Sequence, residues 1–257
     1  MGRLDFRRFR RQFDAKVRAL NPTWQAVGFL TPDDKVYAFG TDSKVISTVF
    51  EGLIAPIVHE IADAHGYTAE GSNQTVYPDF TLSVADGRPP RIAIDVKTTY
   101  RRFYASGGIR PFSFTLGSYT SYLRSTTAKK NIAHPYHEYS DHWVIGFLYT
   151  RREGVPAKVY RRSELPTLLC PYLDVEYFVQ EKYKIVGIKP GSGNTANIGS
   201  FATTEIDDLR AGRGPFAKYG KDFCDAYWRH YGRTKADRPY ASITEFEAWT
   251  AAQSESR

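Results

Sequence analysis

The first clear hydrophobic pattern along the chain spans residues 4–20. Apolar side chains recur there every three or four residues, and arginines occupy positions between them. The apolar positions are Phe6, Phe9, Phe13, Val17 and Leu20. This spacing puts them on one face of an α-helix, which Asn21-Pro22 would end. The pattern predicts an amphipathic surface helix docked on the protein core, with binding to a membrane surface as the alternative.

A longer helix is predicted between Thr41-Asp42-Ser43 and Gly66. The first three residues can cap a helix N-terminus, and the glycine suits a C-terminal cap. Pro56 predicts a kink within the helix. The predicted buried stripe consists of Val45, Val49, Leu53, Ile57 and Ile61, widened by Ile46, Phe50 and Ile54.

Apolar runs predict three strands in the middle of the chain, at 77–82, 91–99 and 142–149. The third run is almost wholly apolar, as expected for a strand covered on both faces. The pattern also predicts a hairpin-like stretch near 36–39, extended structure at 172–190, a small-residue loop at 191–200, and helices at 216–231 and 242–252. No internal repeat or clear linker divides these elements. A single α/β domain is therefore the simplest prediction.

Charge is the most informative part of the composition. The chain has 257 residues, 42% of them hydrophobic, and 35 Lys and Arg against 28 Asp and Glu give a net charge of +7. A basic surface favours a polyanion such as nucleic acid or an acidic membrane face, although many soluble proteins carry such a charge without a partner of this kind. No apolar run approaches the roughly 18 residues of a membrane span, so a membrane protein is not expected.

The cysteines and the N-terminus bear on the cellular compartment. Cys170 and Cys224 lie far apart, which excludes a disulfide scaffold and matches no metal-binding spacing. The arginines near the N-terminus are not followed by an apolar stretch, as an export signal would require. We therefore expect a cytoplasmic protein with two reduced thiols.

Candidate chemistry lies on the predicted strand 91–99. Because side chains alternate along a strand, Asp95 and Lys97 share one face. A turn centred near residue 87 would pair the strands so that Asp79 lies opposite Asp95. Two carboxylates beside a lysine suit a hard divalent cation such as Mg²⁺, which binds oxygen ligands and substrate phosphate. The alternative is an ordinary surface pair of acid and lysine.

The spacing of these residues resembles a known motif. Pro78-Asp79 followed by Asp95-Val96-Lys97 is similar to the PD-(D/E)xK motif of nucleases. The segments GTDSKVISTVFE, YPDFTL, IAIDVKTTY, FTLGSYTSYLR, HWVIGFLYTR and GSGNTANIGS extend the similarity to the type II restriction endonucleases of that superfamily. The resemblance implies a central mixed β-sheet flanked by helices and a DNA-gripping C-terminal subdomain. The implied regions are 1–40 for the N-terminal helix and dimerisation, 41–150 for the catalytic core, and 151–257 for recognition and DNA binding.

The resemblance also implies roles for individual residues. Asp79, Asp95 and Glu51 would hold the metal, and Lys97 would be the catalytic lysine, although Glu51 could instead be an ordinary glutamate on a helix surface. Base recognition would use Gly191, Ser192, Gly193, Asn194, Thr195, Ala196, Asn197 and Gln74. Contacts to the DNA backbone would come from Lys44, Thr98, Thr99, Thr120, Ser121, Lys129 or Lys130, Arg233 and Arg238. The alternative for the glycine-rich loop is an ordinary surface turn or an anion-binding loop.

The implied function is Mg²⁺-dependent hydrolysis of double-stranded DNA at a palindrome, GATATC, cut at its centre. A homodimer is implied, because the two-fold symmetry of the protein would match that of the site, and a cognate DNA methyltransferase is expected in the host. The alternatives are a repair or recombination nuclease with the same catalytic core, or a non-catalytic DNA-binding protein on this fold. A methyltransferase is disfavoured, because no glycine-rich cofactor loop follows a strand.

Overall fold

A computed structural model of the chain describes residues 3–73, 75–117, 119–191, 197–232, 234 and 236–255. In this part of the chain the α-helices are α1 (Phe6–Leu20), α2 (Ser43–Ala64), α3 (Tyr119–Arg124), α4 (Ile206–Ala211), α5 (Lys221–His230) and α6 (Ile243–Glu255). Short 3₁₀ turns occur at Tyr136–Glu138, Arg162–Thr167 and Lys182–Lys184. The main predicted helices are present. The helices α3 and α4 were not predicted, because they are too short to leave a clear periodic pattern in the sequence.

Ten strands form three sheets in the described residues. The strands are β1 (Gly28–Leu30), β2 (Lys35–Ala38), β3 (Tyr67–Gly71), β4 (Phe80–Val84), β5 (Arg91–Arg101), β6 (Tyr139–Arg151), β7 (Val159–Arg161), β8 (Tyr172–Glu181), β9 (Val186–Pro190) and β10 (Ile198–Ser200). The central sheet has the order β3-β4-β5-β6-β8, in which only β5 and β6 are parallel. The predicted α/β class with a central mixed sheet is confirmed.

The β4–β5 hairpin has the predicted register. Phe80 pairs with Ile94 and Leu82 pairs with Ile92 in antiparallel fashion. Extending this register by one residue puts Asp79 opposite Asp95. Gly87 lies in the connecting turn with a φ of 68°, a left-handed conformation that glycine adopts without strain.

Each face of the central sheet is covered by its own hydrophobic core. Ile92, Ile94 and Val96 of β5 point into a first core that also contains α1 and α2. Ala93 points into a second core, which contains α5 and the aromatic cluster near the C-terminus. This alternation agrees with the predicted strand periodicity, and it directs the odd-numbered side chains of β5, including Asp95, to the second face.

The buried face of α2 differs from the predicted stripe. Leu53 is exposed and Val45 and Val49 are only partly buried. The buried positions of the helix are Ile46, Phe50, Ile54, Ile57, Val58, Ile61 and Ala62, so five of the predicted positions are buried: Ile46, Phe50, Ile54, Ile57 and Ile61. Phe50 stacks on Phe147 with ring centroids 4.5 Å apart, so the row that contains Phe50 faces the sheet. Both rows are apolar, so helical periodicity alone could not choose between them.

Both N-terminal helices lie against the sheet. Asp5 caps α1 by accepting a hydrogen bond from the Arg8 N–H, and Phe9, Phe13 and Val17 are buried in the first core. By length and composition α2 is apolar enough to cross a membrane, which the expectation from the sequence overlooked. In this fold its buried face instead packs in the first core. Docking of α1 on the core is confirmed.

Candidate active site

Three of the predicted catalytic side chains converge on the β4–β5 hairpin. The Lys97 ammonium donates hydrogen bonds to Asp95 Oδ1 at 2.7 Å and to Asp79 Oδ2 at 3.4 Å. The Val96 N–H also donates to Asp79 Oδ2, at 2.6 Å. The hairpin register thus brings the two carboxylates together, and one lysine bridges them.

The Asp79 carboxyl group lies in surroundings that disfavour its charge. Burial raises its pKa to about 7, and the nearby carboxylates of Asp95 and Glu51 act in the same direction, whereas Lys97 lowers it. A group with this pKa is only partly ionised near neutral pH. An additional cation beside Asp79 would therefore relieve an electrostatic cost that the chain alone leaves in place.

Asp95 is the more deeply buried carboxylate, with a side chain that is 3% exposed. Burial alone would raise its pKa, but Lys97 and Lys182 outweigh that effect and leave the pKa below its usual value. Burial opposes the charge of Lys97 as well, yet the two aspartates raise the pKa of Lys97 above its ordinary value. Asp95 and Lys97 are therefore both charged at neutral pH.

Lys182 is a member of this cluster that the sequence did not reveal. Its side chain is only 1% exposed, and its Nζ lies 3.6 Å from Asp95 Oδ2 and 4.5 Å from the centre of the Tyr77 ring. Burial lowers its pKa to about 8, against the opposing effect of Asp95. In sequence Lys182 belongs to a short polar stretch between two strands, which is typical of a solvated turn. Only the fold brings it to Asp95.

A group of aromatic side chains lies next to Lys182. The Tyr77 hydroxyl group and His142 Nδ1 form a 2.6 Å hydrogen bond, and the His142 ring stacks on Tyr136 with centroids 4.6 Å apart. Burial, with Lys182 and Lys221, lowers the pKa of His142 well below its usual value, so the ring is neutral near pH 7.

Glu51 lies on α2 and acts electrostatically on the same cluster. Burial raises its pKa, Lys97 lowers it and Asp95 raises it. Among the residues that the structure describes, however, no three His, Cys, Asp or Glu side chains come together as a metal-binding cluster. The arrangement is thus a pair of carboxylates with a third acid at its edge. Mg²⁺ is commonly held by one or two carboxylates, with water and substrate phosphate as further ligands.

Asp79→Asn is expected to stabilise the metal-free protein, and the gain should grow with pH. The folded-state pKa of about 7 lies above the roughly 3.9 of an unfolded chain, so Asp79 destabilises the fold progressively as pH rises between these values. An asparagine side-chain oxygen can still accept the Val96 N–H. Melting temperatures in EDTA should show a clear gain at about pH 8 and a small one near pH 4.5. An equal gain at both pH values would contradict the assigned cause.

Comparison with known proteins shows the family to which this chain belongs. The family profile described as restriction endonuclease EcoRV matches residues 20–251. The chain is also 40% identical over 234 residues to the type II restriction enzyme EcoRV of Escherichia coli, which covers 89% of this chain and 92% of that protein. The chain belongs to the EcoRV family of restriction endonucleases. The mixed sheet flanked by helices is accordingly the fold of an EcoRV-like nuclease.

The residues predicted to contact the DNA backbone differ in their exposure. Thr98 and Thr99 follow Lys97 on β5 and are half-buried. Ser121 is exposed, but Thr120 is completely buried, which argues against a direct phosphate contact by its side chain in this conformation. The exposed lysines among the predicted contacts are Lys44 at the start of α2 and both Lys129 and Lys130 after α3. Arg238 lies over the Tyr231 ring at 4.8 Å, and Arg233 is outside the described residues.

The two described residues of the predicted recognition loop, Gly191 and Asn197, lie at the end of a narrow hairpin. The Gly191 N–H donates to the Asn197 carbonyl at 2.9 Å, and Ile198 pairs with Pro190 where β9 and β10 begin to run together. A Cβ on Gly191 would lie 2.7 Å from the Gly199 Cα, so neither glycine has room for a side chain. The remaining predicted recognition residues lie outside the described residues: Gln74, Ser192, Gly193, Asn194, Thr195 and Ala196.

Proposed function

We propose that this EcoRV-like endonuclease acts as a Mg²⁺-dependent homodimer that cuts both strands of GATATC at its centre, leaving blunt ends. The observation that carries the proposal is the contact of Lys97 with both Asp79 and Asp95, within 3.4 Å, in a chain of this family. A non-catalytic DNA-binding protein would have no need for this buried and electrostatically costly cluster. We place the activity of this endonuclease in the cytoplasm, because the proposed substrate, DNA, is found there in bacteria.

The donor set fits a hard divalent cation. Asp95 Oδ2 is buried, with the Lys182 ammonium 3.6 Å away and no closer donor in the described part of the chain. A cation would favour the ionised form of the Asp79 carboxyl group, whose pKa burial raises to about 7. Asp79 and Asp95 would hold Mg²⁺, with Glu51 at its edge. When bound, the ion would neutralise charge that develops on the phosphate and ease deprotonation of the attacking water.

The side chains of the protein have distinct tasks in this proposal. Lys97, already charged, would donate hydrogen bonds to a non-bridging phosphate oxygen or orient the attacking water. Lys182 would stay behind Asp95, where its charge offsets the burial of that carboxylate. Thr98, Thr99, Ser121 and the exposed lysines would fix the duplex through its phosphates, which positions the DNA but reads no sequence.

Base readout would come from the loop 191–197. Asn194 carries a donor and an acceptor that match adenine N6 and N7 in the major groove, and the Thr195 methyl group can contact a thymine methyl group. Gly191 and Gly193 leave backbone groups free to approach base edges. Gln74 would act from the minor-groove side. The adjacent Ala196 is small and would leave these contacts in place.

The proposed dimer would use the small sheet in which β2 lies between β1 and β7. Three apolar side chains lie opposite one another across these strands, on one face of the sheet, and are 45–56% exposed: Phe29, Tyr37 and Val159. Clustered exposed apolar groups of this kind mark an interaction surface. Two copies meeting here would bring their clefts to the two halves of one palindrome.

Tyr37→Glu is expected to shift the protein from dimer to monomer, because a buried charge at the interface would have no partner. The matched control is Leu53→Glu on α2, an apolar side chain of similar exposure, which should leave the dimer intact. Sedimentation velocity at several protein concentrations measures the mass. A monomeric wild type, or a Tyr37→Glu variant that remains dimeric, would exclude this interface.

The direct test is to incubate the purified protein with a sequenced plasmid in Mg²⁺ and to map the ends. Blunt cuts at the centre of GATATC are expected with Mg²⁺ or Mn²⁺, and none in excess EDTA. Cutting at an unrelated site would refute the target, and cutting in EDTA would refute the metal dependence. Because the enzyme would also cut unprotected host DNA, we further expect a cognate methyltransferase, and plasmid methylated within GATATC should resist cleavage.

A further inference from the structure

Most of the excess positive charge of the chain lies in one helix that the proposed chemistry does not use. Residues 3–20 contain six arginines, one lysine and two aspartates, an excess of five charges, compared with +7 for the whole chain. None of the four catalytic candidates is in this segment. The charge therefore needs an explanation apart from the active site.

The arginines of α1 are presented on a fixed surface. Phe9, Phe13 and Val17 anchor the helix in the first core. Arg7, Arg11 and Arg18 follow one another at spacings of four and seven residues, which places them on a single stripe of the helix, and all three are exposed. We refer to these three residues as the α1 arginine stripe.

The stripe has no acidic partner. Nearby cations do have one, since Arg3 pairs with Asp141 at 2.9 Å and Lys16 pairs with Glu60. In the described part of the chain, no carboxylate lies within ion-pair distance of an arginine of the stripe. Arg7 is also in the first turn of α1, where the helix dipole disfavours positive charge, and it repels Arg11 four residues later. Local helix stability accounts for Arg18, which lies in the last turn of α1, but not for Arg7 or Arg11.

A groove of about 1170 Å³ runs along the same helix. Seven cationic side chains line it, including all of the stripe, together with four carboxylates. The carboxylates are already engaged: Asp141 with Arg3, Glu181 with Lys184, Asp5 in the helix cap, and Asp14 with the Tyr177 hydroxyl group. Among the described residues that line the groove there is no catalytic candidate, so this is a separate, net positive surface.

We propose that the α1 arginine stripe binds the phosphate backbone of a second segment of duplex DNA, outside the recognition palindrome. Guanidinium groups form paired hydrogen bonds with phosphate oxygens, and their spacing along a rigid helix can follow a DNA strand without reading its sequence. A membrane surface is disfavoured, because α1 buries its apolar face in the protein instead of leaving it for lipid. The inference rests on the proposed function to the extent that duplex DNA is the substrate polymer.

The test counts the duplexes bound by each protein. A short duplex, long enough for one recognition cleft, is titrated in EDTA at low salt, and complexes are weighed by native mass spectrometry. The wild-type dimer should bind more than one duplex, and Arg7→Gln/Arg11→Gln/Arg18→Gln should bind only one. The slope of log affinity against log salt for a non-target duplex should become shallower by up to about 2–3, at roughly 0.9 per lost phosphate contact.

Two further variants separate this effect from loss of charge or of folding. Arg88→Gln/Arg213→Gln/Lys218→Gln removes three exposed cations from other surfaces and should retain the second duplex. Arg7→Lys/Arg11→Lys/Arg18→Lys keeps the charge and should retain most of the binding. Glutamine is a good helix former, so circular dichroism should show an intact α1 in the test variant.

Several outcomes would overturn the proposal. The count of bound duplexes would do so if the wild type bound only one duplex, if the glutamine variant still bound a second duplex, or if the control variant lost its second duplex as well. Binding of the stripe to anionic vesicles but not to DNA would also contradict it. So would a change of oligomeric mass in the glutamine variant. Cleavage of a short GATATC duplex in Mg²⁺ should be unchanged in the glutamine variant. Absence of cleavage by the wild type would refute the proposed function, whereas the count of bound duplexes would still decide this inference.

Discussion

Asp95→Asn is expected to lower cleavage of a GATATC duplex by roughly 10³-fold or more, with binding of the duplex retained. The substitution keeps the shape of the side chain but removes the charge that Lys97 and Lys182 both contact. Metal binding and charge stabilisation at the phosphate would be lost together, and such losses have effects of this size. Single-turnover cleavage rates and duplex binding in EDTA measure the two properties separately.

The same hairpin offers a matched control. Asp86 lies in the β4–β5 turn, is exposed, and accepts a hydrogen bond from the Arg88 N–H. Asp86→Asn should therefore cut at close to the wild-type rate. Lys97→Met should resemble Asp95→Asn in rate. Near-normal cleavage by purified Asp95→Asn would refute the assigned mechanism, whatever the target sequence proves to be.

Asn194→Ala is expected to abolish most discrimination at the adenine that it reads, while non-specific affinity for DNA is retained. A bidentate side-chain contact to a base contributes about 1–3 kcal/mol of discrimination, and a dimer would lose it in both half-sites. Affinity for DNA in general comes from phosphate contacts and should change little. Cleavage of a library of palindromic duplexes by wild type and variant measures the change.

A milder variant tests the same loop. Thr195→Ser removes one methyl group and should weaken selectivity less than Asn194→Ala does. If the wild type preferred an unrelated palindrome, or if Asn194→Ala kept full selectivity at the adenine, the assignment of base readout to residues 191–197 would be wrong. The catalytic assignment would not be affected.

The features of the site that the sequence predicted correctly are those that depend on local geometry. The register that puts Asp79 opposite Asp95 follows from a single short turn between two strands, and alternation along β5 then fixes the side on which Asp95 and Lys97 lie. Both inferences need only strand periodicity and the position of the turn. The proximity of Asp79, Asp95 and Lys97 could therefore be predicted before the fold was known.

The sequence failed where a distant contact decides between similar options. On α2, the predicted stripe covered two adjacent apolar rows, and the buried row is the one whose Phe50 stacks on Phe147 of β6. Lys182 is the other example, because it reaches Asp95 only through the pairing of β5 with β6 and of β6 with β8. No periodic pattern within a single segment contains that information.

The facing glycines at the loop end of the β9–β10 hairpin separate two kinds of sequence change. Gly191 and Gly199 approach so closely that any side chain on either would force the two strands apart, so the width of the hairpin at this end is fixed by backbone contact alone. Changes between these glycines need not disturb the buried residues that hold the hairpin in place. Under the proposed base readout, new sequence preferences can thus evolve, or be engineered, by exchanging the few residues between them as a cassette, while the rest of the fold is inherited unchanged.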